Sequence, residues 1–289
     1  MCSRNDPLVV ASRPSVIVFF GTASLIAVLA GCWTAAASGV ATAIWARQVM
    51  AWLVGLGLAV AITRFGPWVQ HRLADSGAGP AALLAVIMLL ALGFAEPGLQ
   101  AVHRWIVIGP VRINVAAIAL PVTLVLLHRA RSAPVAMVAI MLLLIAQPDA
   151  SQASGFGVAA VIMLATGKRS RFALAQAVLL AMLGALAWCR PDPLASVAEV
   201  EGILSLAGQR APAVAIVAAV ALALAALAPL RLAVGSDGGA GPVLAGYMVA
   251  TALAPAIGHF PVPLVGMSMS PVIGFWLGIG ALAAQQRDQ

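Results

Sequence analysis

Charge is what this sequence has least of. Only 9% of its 289 residues are Asp, Glu, Lys or Arg, while 63% are hydrophobic. A soluble domain carries about 25% charged residues, so a soluble globular enzyme is excluded. The mean hydropathy of +1.05 places the chain among polytopic membrane proteins. Cysteine is scarce too: Cys2, Cys32 and Cys189 fit no C-x-x-C spacing. The four histidines lie far apart with no H-E-x-x-H, so nothing in the spacing points to a metal. The glycine-rich stretch 235–241 lacks the Lys-Ser/Thr of a phosphate loop and reads as a linker. No cofactor and no metal are expected. The net charge of +7 comes from bases scattered singly between apolar blocks. Without a basic stripe interleaved with aromatics, a nucleic-acid partner is not expected.

What is present is a series of ten apolar blocks, at about residues 15–30, 49–62, 81–94, 113–127, 134–146, 155–166, 172–188, 212–230, 242–257 and 264–284. They predict an all-α transmembrane bundle of about ten helices in one integral membrane domain, residues 1–289. Several blocks fall short of the ~20 residues needed to span, so their helices must extend into flanking sequence. With the N-terminus inside, five bases face out: Arg47, Arg104, Arg112, Arg190 and Arg210. The other eleven of the sixteen Lys and Arg face in. That bias sets the orientation, with both termini cytoplasmic. It also puts Glu96, Asp149, Asp192, Glu199 and Glu201 outside.

Local signals refine this frame. Leu29-Ala30-Gly31-Cys32 resembles a lipoprotein cleavage site, but the segment is needed as the first span and is expected to be retained. His103–Pro110, too short to cross and stopped by Gly-Pro, reads as an interfacial or re-entrant segment, with Trp105 in the aromatic belt. Pro148 ends one helix and frees Asp149 to cap the next. Lys168-Arg169-Ser170-Arg171 is a tight inner turn. Gly274 and Gly278 have G-x-x-x-G spacing, explained by packing within the chain. The most polar stretch, Cys189 to Arg210, forms an outer loop (190–210) holding Asp192, Glu199 and Glu201 between Arg190 and Arg210. Pro193 disfavours helix at Asp192, which holds that carboxylate on extended backbone.

Taken in order, five pieces resemble the SEDS family, the RodA and FtsW cell-wall glycosyltransferases. They are Arg47-Gln48 with Trp52 and Gly55; Arg104-Trp105-Ile106 with Gly109; Gln147-Pro148-Asp149; Asp192-Pro193; and Pro261-Val262-Pro263. The departures are plain. The family's Gln-Pro-Ser-Glu-x-x-Lys reads Asn114-Val115-Ala116-Ala117-Ile118-Ala119-Leu120, so its acid–base pair is missing. Its Ser-Tyr-Gly-Gly-Ser-Ser reads Gly266-Met267-Ser268-Met269-Ser270-Pro271, and the long second half of the outer loop is missing.

The resemblance implies polymerisation of a lipid-linked disaccharide–peptide at the outer leaflet of the bacterial inner membrane, in division or shape. It implies Asp192 as catalytic base, with Arg47, Arg104 and Arg190 as cations for the diphosphate. Trp105 and Gln147 join them in the substrate site, and Asp149 holds its fold. The implied partners are the bilayer, the lipid-linked precursor and a membrane-anchored transpeptidase. A shortened member without catalysis, binding the precursor or a partner synthase, is the competing expectation. A small transporter or flippase would place charges at mid-helix, and here they lie at helix ends.

Overall fold

The computed structural model describes residues 13–75, 79–128, 133–167, 171–190, 192–232 and 239–285. Each apolar block becomes one helix: α1 (Arg13–Ala37), α2 (Thr42–Asp75), α3 (Gly79–Ala91), α4 (Val115–Leu127), α5 (Ala133–Ala146), α6 (Ala150–Thr166), α7 (Arg171–Trp188), α9 (Pro212–Leu227), α10 (Ala240–Leu253) and α11 (Met269–Gln285). The eleventh α-helix among the described residues, α8 (Ile203–Arg210), lies within the outer loop. Its buried side chains, Ile203 and Ala207, stand one turn apart, so it lies on the bundle by one face. Among the described residues, four segments are long and apolar enough to cross a bilayer: Val16–Ala37, Thr42–Gly66, Arg171–Trp188 and Pro212–Leu232. The chain is a multi-pass membrane protein. The Lys168–Ser170 turn and most of the glycine-rich linker lie outside the described residues.

Helical backbone satisfies its own hydrogen bonds, which hydrocarbon demands, so the sequence has only to specify the ends. Gly39, with φ of +81°, closes α1. Its amide bonds to the Ala36 carbonyl and that of Val40 to Ala35, a left-handed cap that turns the chain straight into α2. Asp149 caps α6 by accepting from the Gln152 amide at 3.2 Å, as the sequence predicts, and Asn114 likewise caps α4 by accepting from the Ala117 amide at 3.0 Å. Pro212 opens α9, where its missing N–H costs nothing.

Two expectations are corrected. The interfacial or re-entrant segment is a β-hairpin: β1 (Trp105–Ile108) pairs antiparallel with β2 (Val111–Asn114), Trp105 opposite Asn114. Gly109, at φ of +58°, and Pro110 form the two-residue connection that alternating β-branched residues favour. The fourth apolar block therefore yields its first two residues to a strand, and the last block becomes helical only from Met269.

The core is centred on α11, which packs against α2 and α4. Trp276 is wholly buried, edge-on to Phe20 at 4.8 Å and to Trp52 at 5.5 Å. A methyl on Gly274 would stand 1.9 Å from the Ala117 carbonyl oxygen. The G-x-x-x-G stripe thus serves contact with α4 inside the chain, the small-residue packing that membrane helices use. At the inner end, Gln285 donates to the Val125 carbonyl at 2.9 Å. Cys32 is buried in an unbroken α1 and its thiol reaches the Trp45 carbonyl.

Candidate functional site

The loops at the outer ends of the helices converge. Gln48, buried in the first turns of α2, donates to the carbonyls of Leu264 and Gly266 at 3.3 and 2.7 Å. It thereby fixes the connection between α10 and α11. That connection bonds in turn to the outer loop, Val262 to Val200 and Met267 to Glu199. Gly266 permits the approach, since a Cβ there would lie 2.2 Å from the Val200 carbonyl oxygen. Gln147 donates to Leu90 at 2.6 Å and ties the end of α5 to α3.

Between these pieces and the hairpin opens a cavity of about 720 Å³. Arg47, Arg104, Arg112 and His259 line it, as do Trp105, Gln100, Ser268 and, as the single carboxylate among the described residues, Glu201. Glu201 accepts from the Val197 amide at 2.7 Å. Burial pushes its carboxyl above the ordinary value. The hydrogen bonds from Val197 and its own amide oppose this, as do the charges of Arg104 and His259. A carboxylate whose proton affinity is raised is better suited to accept a proton than an ordinary one.

Arg104 is the hinge of the arrangement. It is buried, stacked over the Trp105 ring at 4.6 Å and near that of Phe260 at 5.4 Å. Its Nη2 donates to Asp192 Oδ2 at 2.5 Å. The other Asp192 oxygen accepts from Leu194 N at 3.2 Å. Both carboxylate oxygens of Asp192 are therefore engaged, and Asp192 is absent from the wall of the large cavity. Beneath Arg104 a smaller cavity of about 30 Å³ is lined by Asn114, Asp149, Gln152 and Ser268. Asn114 donates to Asp149 at 2.8 Å, so the residue standing where the missing acid–base motif begins serves as cap and as carboxylate partner.

Of the expected site residues, Arg47, Arg104 and Trp105 meet in the large cavity. Asp149 lines the smaller cavity with Arg104, Gln147 lines neither and ties α5 to α3, and Asp192 joins the site through Arg104. Arg190 is exposed and does not line it. The cation beside Asp192 is thus Arg104, from 88 residues away, rather than its sequence neighbour. Glu201, Arg112 and His259 were visible in the sequence only as loop charges. Placing Arg112 on a hairpin strand, rather than at a helix start, would have turned it toward this wall.

No protein-family model matches the sequence, and no curated protein matches it. Among the solved structures that match in fold are two of one protein. Both are the Thermus thermophilus rod shape determining protein RodA. An aspartate-to-alanine mutant matches with a TM-score of 0.66 and 19% identity, and another RodA structure with a TM-score of 0.56 and 21% identity. Each match covers 94% of this chain and 96% of that one. At such identities the likeness is one of fold, and the chain has the fold of RodA over nearly its whole length.

Proposed function

We propose that the chain is a divergent SEDS-type glycosyltransferase that joins lipid-linked disaccharide–peptide units at the outer leaflet of the bacterial inner membrane. The observation that carries this reading is the outer cavity itself. Three arginines and a histidine surround one half-buried carboxylate, in a RodA fold. Transfer of a sugar from a lipid diphosphate needs cations for the leaving group and a base for the attacking hydroxyl. Arg104, Arg47 and Arg112 neutralise the diphosphate. Glu201 takes the proton as the hydroxyl oxygen bonds to the anomeric carbon and the carbon–oxygen bond to the diphosphate breaks. Asp192, the base expected from the sequence, is in this reading the counter-ion that presents Arg104. The oriented guanidinium needs no reorganisation when the diphosphate arrives. A membrane-anchored transpeptidase is the partner that would use the polymer.

The test is polymer formation by purified protein supplied with the lipid-linked disaccharide–peptide. Wild type should yield glycan chains. Glu201→Gln should lose about 10²–10⁴-fold, the contribution of a general base, while Asp192→Asn loses less. A larger loss in Asp192→Asn would return the base to Asp192. A wild type that binds the precursor but forms no polymer would make the chain a binding scaffold.

A further inference from the structure

At the far end of α6 and α7 from the outer cavity lies a second large hollow, of about 610 Å³. Its wall is formed by Val161, Leu164 and Ala165 of α6, by Ala173 and Ala177 of α7, and by one charged residue, Arg171. The volume falls within the ~300–1,000 Å³ of ordinary ligand sites. Three of these side chains are alanines, which fill little of the space beside the two helices. It faces outward from the bundle, since Leu174 on its rim is 68% exposed and the adjacent Phe172 78%.

In water such a surface would be a liability, but here the surroundings are hydrocarbon. The apolar part is complementary to an alkyl chain and to nothing polar. Arg171 is the first residue of α7, in the turn whose Lys168, Arg169 and Arg171 mark the cytoplasmic side. Among the described residues the wall offers it no carboxylate. A guanidinium at the cytoplasmic end of α7, beside an apolar hollow, pairs best with a phosphate that carries a chain.

We propose that this groove binds an anionic phospholipid of the inner leaflet, its acyl chain along Ala165, Ala173 and Ala177 and its phosphate on Arg171. The site lies on the opposite side of the membrane from the proposed chemistry and does not depend on it. A lipid there sits between α6 and α7, whose outer ends carry Asp149 and the Asp192 loop.

The experiment is native mass spectrometry of the intact detergent-solubilised protein, titrated separately with dioleoyl phosphatidylglycerol, dioleoyl phosphatidylcholine and inorganic phosphate. Wild type should retain phosphatidylglycerol in preference to phosphatidylcholine and should not retain phosphate alone. Arg171→Gln should weaken phosphatidylglycerol retention by roughly fivefold, the factor one arginine contributes at an anionic surface. Ala177→Leu, which fills the groove and keeps the charge, should weaken both lipids, with elution and melting of the variant unchanged. Equal retention of the two lipids by wild type would overturn the proposal. So would phosphatidylglycerol binding untouched by either substitution, or phosphate retained as firmly as the lipid.

Discussion

Removing Arg104 gives the sharpest test of how the outer site is built. Its guanidinium and the Asp192 carboxylate are 2.5 Å apart, with side-chain exposures of 4% and 16%. Two unit charges about 4 Å apart near a protein surface attract by about 4 kcal/mol at an effective dielectric of about 20. Residual solvent at Asp192 screens part of this, leaving about 2–3 kcal/mol of coupling, at the upper end for contacting residues. Arg104→Gln also loses the stacking on Trp105 and strands Asp192, so its total cost should approach the ~3 kcal/mol low end for a broken buried pair. Asp192→Asn should cost less, because the exposed edge of the site rehydrates. The assay is thermal unfolding in detergent of wild type, both single variants and the double variant. At roughly 2–4 °C per kcal/mol for large domains, Arg104→Gln should melt about 6–12 °C below wild type. The double variant should melt well above the additive expectation. Additivity within about 0.5 kcal/mol would mean that the two groups do not act on one another, and the hinge role of Arg104 would fall.

Three further outcomes follow from the same geometry. Glu201 must be ionised to accept a proton, so polymerisation should rise with pH through its carboxyl value, which burial holds above that of an ordinary glutamate. His259→Ala removes a charge that holds that value down, and the acid limb of the pH–rate profile should move to higher pH. Asn114→Ala removes both the cap of α4 and a hydrogen bond to Asp149. A cap is worth about 1 kcal/mol and an orphaned buried acceptor about 1–3, so the loss should be roughly 2–4 kcal/mol by thermal unfolding. Asn114→Asp restores the cap but sets two carboxylates together, and should not rescue. Gly274→Ala forces a methyl against the Ala117 carbonyl and should cost about 1–3 kcal/mol. Gly57→Ala, which meets nothing within 4 Å, should be neutral or stabilising when melted alongside it.

The sequence by itself determined the frame. Long apolar runs become helices in hydrocarbon because a helix satisfies its backbone polar groups within a single segment. The same local logic placed the Asp149 cap, the Gly274–Gly278 contact and the outward direction of the polar loop. Motif order along the chain was enough to suggest the fold that the RodA structures share. Only the tertiary structure decided which charges meet. Arg104 and Asp192 are 88 positions apart, and nothing local distinguishes Arg104 from Arg190 as the partner. Nor does any spacing reveal that Asp192 has both oxygens engaged while Glu201, nine residues on, lines the cavity. The hairpin escaped as well, because a short apolar run carries the same composition whether it lies flat at the interface or pairs with its neighbour. Pairing depends on a partner strand, and burial of a charge on what folds over it, so both are set by contacts distant in the chain.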